Sequence, residues 1–92
     1  MAEKFEVNHN QAKNRFEIIE NSAIAVLEYS IKNNSIIFSH TGVPAELEGK
    51  GLGSLLVKTG LEYAEQNKLK VIPICWFVGK YIERHPEYTR LL

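Results

Sequence analysis

Phe5 and Val7 alternate with Lys4, Glu6 and Asn8, a period of two that predicts a strand at the start of the chain. The polar run 8–14 reads as a turn. Phe16 and Ile18 alternate with Arg15 and Glu17, so a second strand is expected, ending near Glu20. Asn21-Ser22 is a turn signal. Residues 23–31 are rich in β-branched and aromatic side chains and nearly apolar on both faces, the pattern of a central strand. Asn33-Asn34 can take the positive φ of a hairpin turn, and residues 35–41 return as a fourth strand.

The period then changes. Leu52, Leu55, Leu56, Tyr63 and Ala64, with Thr59 and Gly60 between them, fall on one face of a helix running to about Gln66. Lys58, Glu62, Glu65 and Lys68 fall on the other. Residues 71–75 form a short apolar strand, in which Pro73 demands an edge or a bulge because it offers no N–H. Trp76–Arg84 reads as a second helix, broken at His85-Pro86. Pro86-Glu87-Tyr88 can open a last helical turn. Trp76, Phe77 and Tyr81 read as packing residues. The order is an antiparallel four-strand meander, then α-β-α, an α/β fold in one domain over 1–92. The helical crossover makes the fourth and fifth strands parallel.

Composition narrows the function. In 92 residues the eleven acids are all Glu, so no Ser-His-Asp triad, EF-hand loop or Asp-held Mg²⁺ is available. One cysteine excludes an intrachain disulfide and a Cys-rich zinc site, and three His without shared helical spacing argue against a metal. Eleven basic residues balance the acids, which argues against a general nucleic-acid partner. No stretch suits a membrane span, and a free thiol with no signal peptide fits the cytoplasm. Charge is uneven, with four basic and six acidic residues in 1–46 and seven and five in 47–92. An anion site belongs in the second half.

There the chain reads Glu48-Gly49-Lys50-Gly51-Leu52-Gly53-Ser54, between a strand and a helix. Bare glycine backbone followed by a helix N-terminus is a phosphate cradle, to which Lys50 can add a charge. The same loop can equally be a turn that ends a strand. The spacing fits neither a P-loop nor a dinucleotide fingerprint. A side chain at Gly53 is expected to stand where a diphosphate touches backbone on a solvent-facing loop.

Cys75, at the start of the second helix, reads as a nucleophile with a lowered pKa or as an inert buried thiol. His40, ending the fourth strand, reads as a general base or as a structural His bonding a loop carbonyl. His85 orders the C-terminal turn, and His9 carries no functional signal. Tyr81 and Tyr88 are available as general acids, with nothing local to select either.

Taken together, these residues resemble the GNAT (GCN5-related) acetyltransferases, whose Gln/Arg-x-x-Gly-x-Gly/Ala loop precedes a helix and holds the pyrophosphate of acetyl-CoA. Gly51-Leu52-Gly53 match the Gly-x-Gly, while Glu48 stands where the family has Gln or Arg. That leaves the backbone cradle intact and puts a negative side chain near a diphosphate. The chain is most similar to a compact subgroup of the family without the usual N-terminal helices. The matching stretches are His40-Thr41-x-Val43-Pro44, Glu48-Gly49-Lys50-Gly51-Leu52-Gly53, Pro73-Ile74-Cys75 and Tyr81-Ile82-x-x-His85-Pro86-Glu87-Tyr88. The resemblance implies that the fourth and fifth strands splay apart and that acetyl-CoA binds through Gly49, Lys50, Gly51, Leu52, Gly53 and Ser54. It also implies transfer to an amine acceptor, a small molecule or a peptide; Cys75 and His40 are the candidates for the reacting zone. A monomer or weak homodimer is expected. The alternative is a non-catalytic CoA-binding or protein-interaction module.

Overall fold

The computed structural model describes residues 5–92. Four antiparallel strands, β1 (Asn8–Asn10), β2 (Arg15–Glu20), β3 (Ala23–Lys32) and β4 (Ser35–Gly42), form a meander. Helix α1 (Leu52–Gln66) crosses over to β5 (Lys70–Pro73), which pairs parallel to β4, and α2 (Trp76–Arg84) follows. Single turns of 3-10 helix sit at Gln11–Lys13 and Ala45–Leu47, and a longer one at Pro86–Leu91.

The first strand forms later than expected, within the polar run 8–14. Asn14 takes a left-handed φ of 53°, and the Asn10 side chain accepts from the Lys13 amide. This tight reversal pairs Asn8–Asn10 with residues 15–17. Lys4 lies outside the described residues, while Phe5 and Val7 are half-buried against the core. His9 is therefore a strand residue. Its ring stacks on Phe16 at 4.1 Å, meets Tyr63 edge-on at 4.6 Å and hydrogen-bonds the Tyr29 hydroxyl. Burial lowers its pKa and raises that of Tyr29.

β3 is central, but only one of its faces is covered. Ala23, Ala25, Leu27 and Tyr29 are buried, whereas Ile24 on the other face is 40% exposed. Both helices contact the Leu27–Phe38 side of the sheet, so the opposite face is open. It displays Ile19, Ile24 and Ile72, with the Arg15–Glu17 ion pair at 2.7 Å beside them.

α1 has the expected ends, yet it buries a different stripe. Val57 and Leu61 are fully buried alongside Leu56 and Ala64, while Leu55 and Tyr63 are only half-buried. The helix lies close to the sheet at Gly60, where an added Cβ would come within 2.9 Å of Leu27 and 3.0 Å of Phe38. That approach turns positions 57 and 61 inward. Each fully buried Leu or Val removes apolar surface worth about 1.5–3 kcal/mol.

β5 stops two residues early. Pro73 sits on an edge strand, as its missing N–H requires. The Ile74 amide bonds back to the Ile72 carbonyl at 3.1 Å, a tight turn that lifts the chain out of the sheet. The Cys75 amide then bonds to the Phe38 carbonyl at 2.9 Å and starts α2. Trp76 faces out and is 72% exposed, in contrast to its expected packing role, while Tyr81 and Val78 are buried. The His85 Nδ1–H donates to the Tyr81 carbonyl at 2.9 Å and the ring stacks on Tyr81 at 4.0 Å, which orders the C-terminal turn as expected. No described helix is long and apolar enough to cross a membrane.

Candidate functional site

Two helix N-termini point toward the end of the sheet where β4 outruns β5. Pairing of these strands stops at Phe38 and Pro73, and β4 continues to Gly42 against β3 alone.

The first N-terminus is that of α1. Gly49 and Gly51 have φ of +81° and +75°, left-handed values that strain any residue with a Cβ. Nothing lies within 4 Å of where a Cβ would stand on either, so this backbone is open to solvent. Gly51 caps the helix without a side-chain hydrogen bond, and the first intrahelical bond runs from the Leu55 amide to Gly51. The amides of Leu52, Gly53 and Ser54 are thus left without intrahelical acceptors at the positive end of the helix dipole. This is a fit for a diphosphate.

Other loop residues serve different ends. Gly53 is buried rather than solvent-facing, and a Cβ there would come within 3.0 Å of the Phe77 ring. Its smallness lets α1 and α2 touch. The Lys50 ammonium lies over the Phe5 ring, 5.9 Å from its centroid, and borders a hollow shared with Glu20, Asn21 and Glu46. Glu48 is exposed just before the glycines.

The second N-terminus is that of α2, capped by Cys75. The thiol is half-buried, with Sγ 3.3 Å from Thr41 Oγ1. Burial pushes its pKa up. The Thr41 hydroxyl and the amides of Val78, Phe77 and Thr41 favour the thiolate and outweigh burial, so the net shift is downward. An open groove of about 480 Å³ runs past the sulfur, walled by Ile74, Trp76, Gly79 and Glu83.

His40 does not join Cys75. It pairs with Glu28 on the open face, where its Nε2 would lie 3.0 Å from a Cβ on Gly42. The cause is a β-bulge. Tyr29 pairs with Phe38 and Glu28 with His40, which leaves Ser39 as an extra residue. Simple alternation from Ile36 and Phe38 would aim position 40 at the helices. The bulge aims Thr41 there instead. Thr41 is the residue that sequence reasoning did not single out, although it stands in the matching stretch His40-Thr41-x-Val43-Pro44.

Between the α1 tip and the C-terminal half of α2 lies a smaller cavity of about 90 Å³, bordered by Ser54 on α1 and by Lys80, Tyr81, Arg84 and His85. Among the described residues no cluster of three metal-ligating side chains occurs.

A family model described as GCN5-related N-acetyl-transferase matches residues 15–91. The solution structure of a GCN5-like protein from Staphylococcus aureus superposes with a TM-score of 0.74 and 37% identity, covering 94% of this chain and 85% of that one. Protein NATD1 of Gallus gallus is 30% identical over 84 residues, 88% of this chain and 76% of its own. Protein NATD1 of Xenopus tropicalis is 26% identical over 84 residues, 87% and 76% of the respective chains.

Proposed function

Because this chain belongs to the GCN5-related N-acetyltransferase family, we propose that it binds acetyl-CoA at the tip of α1 and transfers the acetyl group to an amine. The observation that carries this reading is the set of three amides, Leu52 to Ser54, left without helical partners behind the positive-φ glycines. They would hold the diphosphate, with Gly49 and Gly51 giving it close approach. Lys50 stands off toward Phe5, so its charge acts at longer range.

Bound acetyl-CoA supplies an activated thioester carbonyl. A neutral amine attacks the carbonyl carbon, the carbon–sulfur bond breaks and the leaving thiolate is matched by the proton that the amine nitrogen sheds. The amides of Ile74 and Cys75 are already bonded, so stabilising the developing oxyanion falls to the Thr41 hydroxyl or to a β4 amide past Phe38. An acceptor arriving from the open sheet face would meet His40, which would take the amine's proton on that side. Cys75 lines the groove on the other side. Direct attack is preferred over an acetyl-Cys75 relay, because a neutral amine held against a thioester needs no covalent intermediate. A reducing cytoplasmic setting, which keeps Cys75 a thiol, goes with this reading.

The alternative is a module that binds CoA without turnover. Two observations favour it: the exposed Glu48 beside the cradle, and the open sheet face with Ile19, Ile24 and Ile72 exposed. One experiment addresses both. Calorimetry with acetyl-CoA should show saturable binding, and at 100 Kd the ligand should stabilise the fold by about 2.7 kcal/mol. Thiol release is then followed with a panel of amines, polyamines and peptides. Release above the acceptor-free rate supports the transferase, saturable binding without release supports the module, and no binding at millimolar ligand removes both.

A further inference from the structure

The cavity between the tip of α1 and the C-terminal half of α2 has a chemistry that the diphosphate cradle does not use. At about 90 Å³ it is far too small for a nucleotide and suits a single compact group. Lys80 and Arg84 stand one helical turn apart on α2, so their side chains share a face and both border the cavity. Ser54 closes it from α1, and its own amide belongs to the open tip of that helix. The cavity therefore adjoins the diphosphate cradle at Ser54.

The two cations are available to an incoming anion. Among the described residues Lys80 has only weak engagements: Glu83 at 3.6 Å, with both side chains substantially exposed, and the Trp76 ring at 5.8 Å. Such a surface pair contributes little and is easily exchanged for a stronger one. Arg84 is exposed and makes no ion pair among the described residues. A guanidinium fork with a mobile ammonium and a hydroxyl is a donor set for a phosphomonoester. Three carboxylates oppose the set: Glu83, which pairs with Lys80 at 3.6 Å, and Glu62 and Glu87, which act on the Tyr81 hydroxyl at the cavity wall. The His85 ring is tied to the Tyr81 carbonyl through Nδ1–H and forms a wall.

We infer that Ser54, Lys80 and Arg84 form a phosphomonoester subsite that reads the ribose 3′-phosphate of CoA, so that the protein distinguishes CoA from its 3′-dephospho form. The inference rests on the acetyl-CoA reading above and deepens it. In CoA the 3′-phosphate is one ribose away from the diphosphate, and the cavity adjoins the cradle through Ser54. Lys80 and Arg84 also explain why the positive charge of the second half is useful there, since Lys50 turns toward Phe5 instead.

The test is a calorimetric titration of the full chain with CoA and with 3′-dephospho-CoA, at low and high salt. CoA is expected to bind about tenfold tighter or more, with a gap that narrows as salt rises. The K80Q/R84Q variant, exposed on α2 and monitored by its thermal melt, should bind both ligands equally, at the wild-type level for the dephospho form. Equal binding of the two ligands by wild type overturns the subsite and leaves the acetyl-CoA reading standing. A variant that weakens for both ligands alike also overturns it, because the cations then serve the diphosphate. Failure of wild type to bind either ligand overturns the reading underneath.

Discussion

The two helix N-termini are built from similar parts and are used in opposite ways. Neither has a side-chain cap in hydrogen-bond geometry. At α2 the space in front of the amides is taken by the chain's own Cys75, whose sulfur gains from Phe77 and Val78 and from the Thr41 hydroxyl. At α1 the space is left bare by two glycines in left-handed backbone. The lesson is that the same dipole can tune an internal thiol or face outward toward an anion, depending on whether the capping position carries a side chain.

The sharpest way to break this contrast is to fill the bare tip. Gly51→Val places a β-branched side chain at φ +75°. CoA binding should fall at least about a hundredfold, and the fold should lose on the order of 1–2 kcal/mol from backbone strain. Calorimetry beside a denaturant melt reads the two separately; unchanged affinity would mean that the anion sits elsewhere. Gly53→Val should act differently, because its Cβ meets Phe77 at 3.0 Å rather than solvent. Overpacking there should cost about 1–3 kcal/mol, with Tm lower by several degrees, and binding should weaken secondarily. A Gly53→Val melt matching wild type would contradict the close helix–helix contact.

The α2 tip is probed by removing the Thr41 hydroxyl. Thr41→Val should slow alkylation of Cys75 by iodoacetamide several-fold at neutral pH and shift its profile to higher pH, while Thr41→Ser keeps the wild-type profile. Identical profiles in all three proteins would show that the hydroxyl does not tune the thiol. Such profiles need a companion measurement of stability. His9 sits in an aromatic cluster, and burial there lowers its pKa. Below 6.5, the ordinary value for a histidine, the unfolded chain takes up a proton that the fold resists. Stability should therefore fall as pH drops from 6.5 toward the lower folded value and level off below it, by at most about 1.4 kcal/mol per pH unit. His9→Gln should flatten this slope in urea melts between pH 7.5 and 5; an unaltered slope assigns it to another group.

The smallest effect concerns Glu48. Replacing it with Arg puts a cation near the α1 tip, and CoA affinity should rise a few-fold, more at low salt than at high. No change at low salt would place the side chain beyond reach of the bound anion.

Much of this architecture was legible because period two and period 3.6 are visible in single segments. β2, the Ser35 start of β4, both ends of α1 and the whole of α2 follow from local pattern and breakers. What was not legible depended on partners far along the chain. The bulge at Ser39 exists only in the pairing of β3 with β4, and it alone decides that Thr41 rather than His40 meets Cys75. The stripe of α1 was misread by the inward turn of Val57 and Leu61, set by close approach to the sheet at Gly60. Trp76 looked like core by composition, and its exposure follows from the tight turn at Pro73 that lifts the chain off the edge strand. The glycine loop was visible as a cradle, but the division of labour within it was not. Gly49 and Gly51 are open, Gly53 packs on Phe77, and Lys50 faces Phe5.

The central claim is that an anionic ligand lies on the amides of Leu52, Gly53 and Ser54. Backbone amide shifts in a ¹⁵N–¹H spectrum, followed while CoA is titrated in, address those groups one by one. The account predicts that the largest and saturable changes fall on Gly51 to Ser54, with smaller ones at Phe77 and Val78 and none on the open-face residues Ile19 and Ile24. Saturable changes centred away from α1, with the Leu52 to Ser54 amides unmoved at millimolar CoA, would contradict it.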